Sequence, residues 1–164
     1  MRASALLLLP LLIAVALVSA GCGPAVDLSK GLQIQDVSTG WFDAGLVNGQ
    51  NKLVPTISFK LKNVSEQKLV MLQVSVIFRR VNVNDEWGSG FVTAAGSQGL
   101  APGATTPTLT VKSQLGYTGT NQSREDMLHN GEFVDAKAEL SAKYGAELLR
   151  RIGDYPITRQ LIVK

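Results

Sequence analysis

Thiols and imidazoles are nearly missing from this chain of 164 residues, which has one cysteine, Cys22, and one histidine, His129. A lone cysteine cannot close a disulfide within its own chain or supply the paired thiols of a zinc site. A lone histidine in a polar stretch has no second imidazole with which to hold a metal. No G-x-S-x-G elbow is present, so a hydrolase triad lacks its signature turn. Charge is sparse and balanced, with 16 Lys and Arg against 13 Asp and Glu, a formal +3. Nucleic-acid binding calls instead for a clustered basic face with base-stacking aromatics. The densest basic points, Arg79-Arg80 and Arg150-Arg151, read as strand-end pairs held in water; their functional alternative is contact with anionic lipid headgroups, about 1 kcal/mol per cation.

Acidic residues fall in adjacent pairs, Asp85-Glu86 and Glu125-Asp126, with Glu132 close to Asp135. Two converging carboxylates would suit glycoside hydrolysis, but adjacent acids of this kind mark solvated turns. The alternating oxygen side chains of Asn82 to Glu86 lack the glycine and distal glutamate of an EF-hand and read as a hairpin turn. No catalytic residue, metal site or cofactor is expected beyond covalent lipid, for the following reason.

Arg2 precedes an apolar run from Ala3 to Val18, and the small residues Ser19, Ala20 and Gly21 lead to Cys22. Charged start, hydrophobic middle and small residues at the cut are the order of a secretory signal peptide. The run is short for a hydrocarbon core that needs about 20 apolar residues, and Pro10 interrupts it. Val18-Ser19-Ala20-Gly21-Cys22 resembles the lipobox of bacterial lipoproteins, with Ser19 in the place of the usual aliphatic residue. The resemblance implies cleavage of residues 1–21, lipidation of Cys22, and a membrane anchor. Gly23 is not the Asp that retains enterobacterial lipoproteins at the inner membrane, so the implied location is the cell envelope, by default the periplasmic face of an outer membrane. Residues 22–30 read as a short lipidated tether of at most about 26 Å.

Cleavage leaves 143 residues, enough for one domain over 31–164. Apolar and polar residues alternate through it. Pro55 to Asn63 puts Ile57, Phe59 and Leu61 on one face, and Leu69 to Arg80 does the same with Val70, Leu72, Val74, Val76 and Phe78. Met71 and Ile77 add apolar character to the other face of this central strand. Further strands are expected over Gly90 to Thr93, Thr106 to Lys112, Phe133 to Tyr144 and Ile157 to Val163, the last after a hairpin around Gly145 or Gly153. Ser113 to Ser123 reads as an irregular connection. Ser123 as N-cap, Glu125 and Asp126 in the first turn, and Gly131 beyond predict one or two helical turns. The expected fold is all-β: an antiparallel β-sandwich of about seven strands with one short helix.

Lys62-Asn63-Val64-Ser65 after a strand, then a long apolar strand, a polar turn, and Leu100-Ala101-Pro102-Gly103 before another strand form a familiar order. Over Val54 to Val111 it resembles the immunoglobulin-like domains of small bacterial lipoproteins of the FxLYD and related types. The name-giving motif is replaced here by Ile77-Phe78-Arg79-Arg80. The resemblance implies an immunoglobulin-like fold in a binding or accessory module of the envelope.

Two functions are compatible with such a domain. One is a non-catalytic accessory module that meets an envelope protein through a sheet edge, with Ile157 to Val163, or Met71 and Ile77, as contact candidates. The other is a small-ligand or glycan-binding module that stacks its ligand on Trp41, Phe42, Trp87, Tyr117 and Tyr155, of which Trp87 and Tyr117 fall in loop-like sequence. Aromatics gathered in one loop-end pocket would favour the ligand; scattered aromatics would favour the protein partner.

Overall fold

The computed structural model describes residues 24–162. The signal segment, Cys22 and Val163 therefore lie outside the described residues. The chain enters through a single helical turn, α1 (Leu28–Gly31), capped by the Asp27 carboxylate, which accepts from the Ser29 amide. It then runs through nine strands: β1 (Leu32–Val47), β2 (Gln50–Asn63), β3 (Leu72–Arg80), β4 (Gly88–Ala95), β5 (Leu109–Lys112), β6 (Tyr117–Gly119), β7 (Ala136–Lys143), β8 (Arg150–Pro156) and β9 (Leu161–Ile162). A second helix, α2 (Arg124–His129), separates β6 from β7.

The strands form two sheets. One has the order β5-β2-β1-β9, with β6 also pairing with β2, and the other β4-β3-β7-β8. Every pairing is antiparallel except that of β1 with β9. With β1, β2 and β5 standing for strands A, B and E, and β4, β3, β7 and β8 for C′, C, F and G, this is the immunoglobulin-type arrangement. Alternation supplies the core between the layers: Ile57, Phe59 and Leu61 from β2, Leu72, Val74, Val76 and Phe78 from β3, Ala138, Leu140 and Ala142 from β7, all with no exposed surface. At about 25 cal/mol per Å² of apolar surface removed from water, these rows dominate the stability of the domain.

The all-β sandwich is as expected, but several details differ from the sequence reading. Among the described residues there are nine strands where about seven were expected, and two helices rather than one. The longest strand, β1, has no counterpart among the expected strands. It joins β2 through Asn48-Gly49, whose φ values of 52° and 78° are those of a type I′ hairpin turn. Met71 has φ 52°, so β3 begins only at Leu72 and Val70 is exposed instead of inward. Val134 also stays outside its strand and is exposed. The stretch read as irregular contains β6, which pairs Tyr117 with Leu53.

The turn after β7 uses Gly145, whereas Gly153 sits within β8 beside a register shift. The expected closing strand splits in two: Ile157 is buried and donates its amide to Ala136 O, and Leu161–Ile162 lie parallel to Trp41 and Phe42 of β1. The N-terminal boundary also moves. Leu28 is 1 % exposed and Val26 packs against the core, so residues expected to belong to the tether are part of the domain.

Candidate functional site

The strands run between two ends of the sandwich. One end gathers Pro24 to Gly31, the turns around residues 64–71 and 96–104, and the hairpin at 144–149. The other gathers the β1–β2 hairpin, the loop at 81–87, β6 and α2. Trp87 and Tyr117 both belong to this second end, and the structure brings them together. Their ring centroids are 4.9 Å apart, and each meets Trp41 of β1, at 6.1 Å and 5.7 Å. Phe133, in the segment between α2 and β7, completes the group at 4.6 Å from Trp41 and 4.5 Å from Tyr117. Tilted and edge-on contacts at these spacings add about 0.5–1.5 kcal/mol per pair to simple burial.

Most of this aromatic surface is used inside the molecule. Trp41 is fully buried and its indole Nε1 finds no acceptor among the described residues. The Tyr117 hydroxyl donates to Val134 O (3.0 Å) and accepts from Val134 N (3.1 Å), tying β6 to the approach of β7. Arg80 lies 5.9 Å from the Trp87 ring and Arg159 5.1 Å from that of Phe133. Arg159 is itself fixed by Asp135 (2.6 Å), Leu128 O and Phe133 O. Beside Tyr117 and Phe133 remains a cavity of about 110 Å³ that also touches Met127 and Glu132. Small-molecule sites usually occupy about 300–1,000 Å³. The other two aromatic candidates lie apart: the Phe42 ring sits under the Lys112 ammonium at 3.1 Å, and Tyr155 packs against the core from β8, where burial raises its hydroxyl pKa.

An open groove of about 610 Å³ runs beside β9 and the Phe42 side of β1. Its lining includes Asp43 and Arg124, paired at 2.5 Å, with Leu161 and Ile162. This groove is large enough for a small ligand; the sequence reading named Phe42 and the strand Ile157 to Val163 separately but not their meeting, which depends on the parallel pairing of β1 with β9.

The acidic pairs all fall at the aromatic end, but several of their carboxylates are engaged locally. Ser123 is the N-cap of α2, as the sequence predicts, and Asp126 closes a capping box with it; Asp135 holds Arg159. His129 is exposed at the last turn of α2, its Nδ1 2.8 Å from Glu125 O. Ser65-Glu66-Gln67-Lys68 has the S-x-x-K spacing of some serine acylases, a match that the sequence reading missed. Its hydroxyl donates to Asn63 Oδ1 (2.7 Å) and so serves the turn.

The sheet-face candidates differ in fate. Met71 is exposed just before β3, while Ile77 is half-buried on the outer face of the second sheet. Opposite Ile77, on β7, stands Glu139, which is bridged to Lys137 (2.9 Å) and Arg79 (3.0 Å). These two cations hold its carboxyl below the usual range. Ile77 therefore has an ion-paired carboxylate beside it on β7, while Phe91 of β4 is exposed on the same face.

No protein-family model matches the chain, and no curated protein matches it by sequence. Among solved structures, the Northeast Structural Genomics Consortium target SoR45 is similar over 79% of this chain and 88% of its own, at 13% identity and a TM-score of 0.45.

Proposed function

We propose that this chain is a lipid-anchored module of the bacterial cell envelope that acts without catalysis, as an accessory that binds a protein partner. The observation that carries this reading is the separation of the two ends. The described chain enters at Pro24, on the end opposite the aromatic group, the acidic pairs and α2. The 14 residues of β2, at about 3.3 Å each, set these ends roughly 45 Å apart. An anchor at Cys22 would then hold one end at the bilayer and present the other to the surrounding space. Two or three acyl chains, at about 0.8 kcal/mol per buried CH₂, make such an anchor stable where a single chain binds only marginally.

The ligand-binding reading also has support, since Trp87, Tyr117 and Trp41 do meet at one end. Against it, their ring faces are covered by one another and by Arg80, and the adjoining cavity is smaller than usual for a ligand. The partner reading is therefore preferred.

Cross-linking in the native envelope, followed by purification of the lipidated protein, tests it, with Cys22→Ser as the control. The expected result is a stoichiometric protein partner that is lost or reduced in the Cys22→Ser form. Recovery of monomer alone from both forms would overturn the partner reading. The ligand reading would then be tested by titrating glycans against the fluorescence of Trp87, with Trp87→Phe as reference.

A further inference from the structure

The end at which the chain enters carries five exposed apolar side chains on two neighbouring turns: Val64, Val70, Met71, Leu148 and Leu149. Leu148 is 75 % exposed, the highest value of any large apolar residue described. These side chains are not on a loose fringe. Gly145 N donates to Val70 O, Val64 N to Gly31 O, and Met71 N to Gly96 O. The entering chain is bound into the same surface, because Gln67 Nε2 donates to Pro24 O (2.8 Å) and Val26 N donates to the Tyr144 hydroxyl (2.7 Å).

This packing shortens the tether. Only Gly23 separates Cys22 from Pro24, so at about 3.3–3.6 Å per residue the anchoring sulfur lies within roughly 10 Å of the packed domain. A headgroup layer is of similar thickness, since a bilayer of about 40–45 Å has a hydrocarbon core of about 30 Å. A domain held this closely meets the headgroups with whatever surface surrounds its point of entry.

Charge distinguishes the two ends. The far end also exposes apolar residues, Leu46 and Val81 among them, but there Asp85, Glu86, Glu125 and Glu132 are exposed acids, while the cations Arg124 and Arg159 are paired with Asp43 and Asp135. The entry end carries Lys30, Lys62, Lys68, Lys143 and Arg150 against Asp27, Glu66 and Glu147. One of the three acids, Asp27, caps α1 and pairs with Lys30 at 3.8 Å. Apolar tips ringed by cations fit an anionic bilayer surface.

We propose that this end docks on the membrane, with Leu148, Leu149 and Met71 entering the boundary between headgroups and acyl chains and the surrounding lysines meeting anionic headgroups. The proposal rests on the lipid-anchor reading and adds an orientation to it: the strands stand on the bilayer and the aromatic end is held away from it.

The test uses the lipidated full chain in vesicles of phosphatidylethanolamine and phosphatidylglycerol. Acylated Cys22 offers no thiol, so single cysteines introduced as Leu148→Cys, Met71→Cys or, at the far end, Leu46→Cys accept an environment-sensitive dye. Spin-labelled lipids then report contact by quenching. Quenching at positions 148 and 71 severalfold stronger than at 46 is expected. Equal, water-like signals from all three on vesicles that carry the protein would overturn docking and leave the anchor intact. Failure of the protein to float with the vesicles would overturn the anchor reading and docking with it. A Leu148→Asp, Leu149→Asp pair changes only exposed positions and is expected to fold. It should still float but relieve quenching at position 71; unchanged quenching there would also overturn the proposal.

Discussion

Asn63 is a polar side chain with no exposed surface. Its amide donates to Gln67 O (2.8 Å) and Leu100 O (2.9 Å), while its carbonyl accepts from the Ser65 amide and hydroxyl. One residue thus joins the turn after β2 to the loop before β5. Asn63→Ala should cost about 1–3 kcal/mol in urea unfolding, since buried partners are left without their bonds. Asn63→Asp should cost more near neutrality, because a carboxylate only accepts and would face two carbonyl oxygens; that repulsion raises the folded pKa, so the gap from wild type should narrow as pH falls toward the unfolded value of about 4. Glu139 behaves in the opposite sense. Its folded pKa lies below the ordinary 4.5, first through the Lys137 bond and then through Arg79. Its contribution is therefore complete above the unfolded value and is lost as pH falls through the folded one. Glu139→Gln should lower the thermal midpoint at neutral pH, and the difference from wild type should fade in acid.

At the scale of elements, what the sequence revealed depended on how regular the alternation is. β3 and β7 alternate without a break, as β2 does from Ile57 onward, and their inward rows were legible to within a residue or two; α2 was legible from Ser123, Asp126 and the residues that follow. β1 was not. Register shifts between Gln35 and Ser38 and between Asp43 and Leu46, with Asp36 at φ 51°, move its side chains from one face to the other. A period-2 reading loses such a strand. The Asn48-Gly49 pair was the one local signal that could have recovered it. The approach of β4 to β5 was also invisible, because it depends on a missing side chain. A Cβ on Gly90 would stand 2.3 Å from Val111 Cγ1 and 3.1 Å from Lys112 O. Gly90→Val should cost about 1–3 kcal/mol through overpacking, measured as a drop in the denaturation midpoint, whereas Thr93→Val, exposed on the same strand, should change little.

For the whole molecule, the sequence named Trp41, Trp87 and Tyr117 among its aromatic candidates but neither their meeting nor Phe133. Trp41 reaches them from a strand that was not foreseen, and Phe133 arrives from the far side of α2. Both contacts span long stretches of chain, and neither leaves a local pattern. The closing of the fold depends on a similarly distant pairing: Trp41 N donates to Gln160 O (2.8 Å), Gln160 donates from its side chain to Thr39 O (2.7 Å), and the Thr158 hydroxyl donates to the same carbonyl. A chain ending at Pro156 would lose this clamp together with buried Ile157, and it would uncover the outer edge of β1. It should unfold at lower denaturant and elute in part as larger species on size exclusion, as bare strand edges pair with one another.

The parallel pairing of β1 with β9 has a mechanical consequence. The chain enters β1 at one end of the sandwich and leaves β9 toward the other. Tension between an anchored N-terminus and a load at the far end would therefore slide these strands lengthwise, straining their hydrogen bonds together. An antiparallel hairpin pulled from its open end gives way one bond at a time. With the first and last of the described strands side by side and pointing the same way, the domain would hold as a strap in shear, not as a zipper.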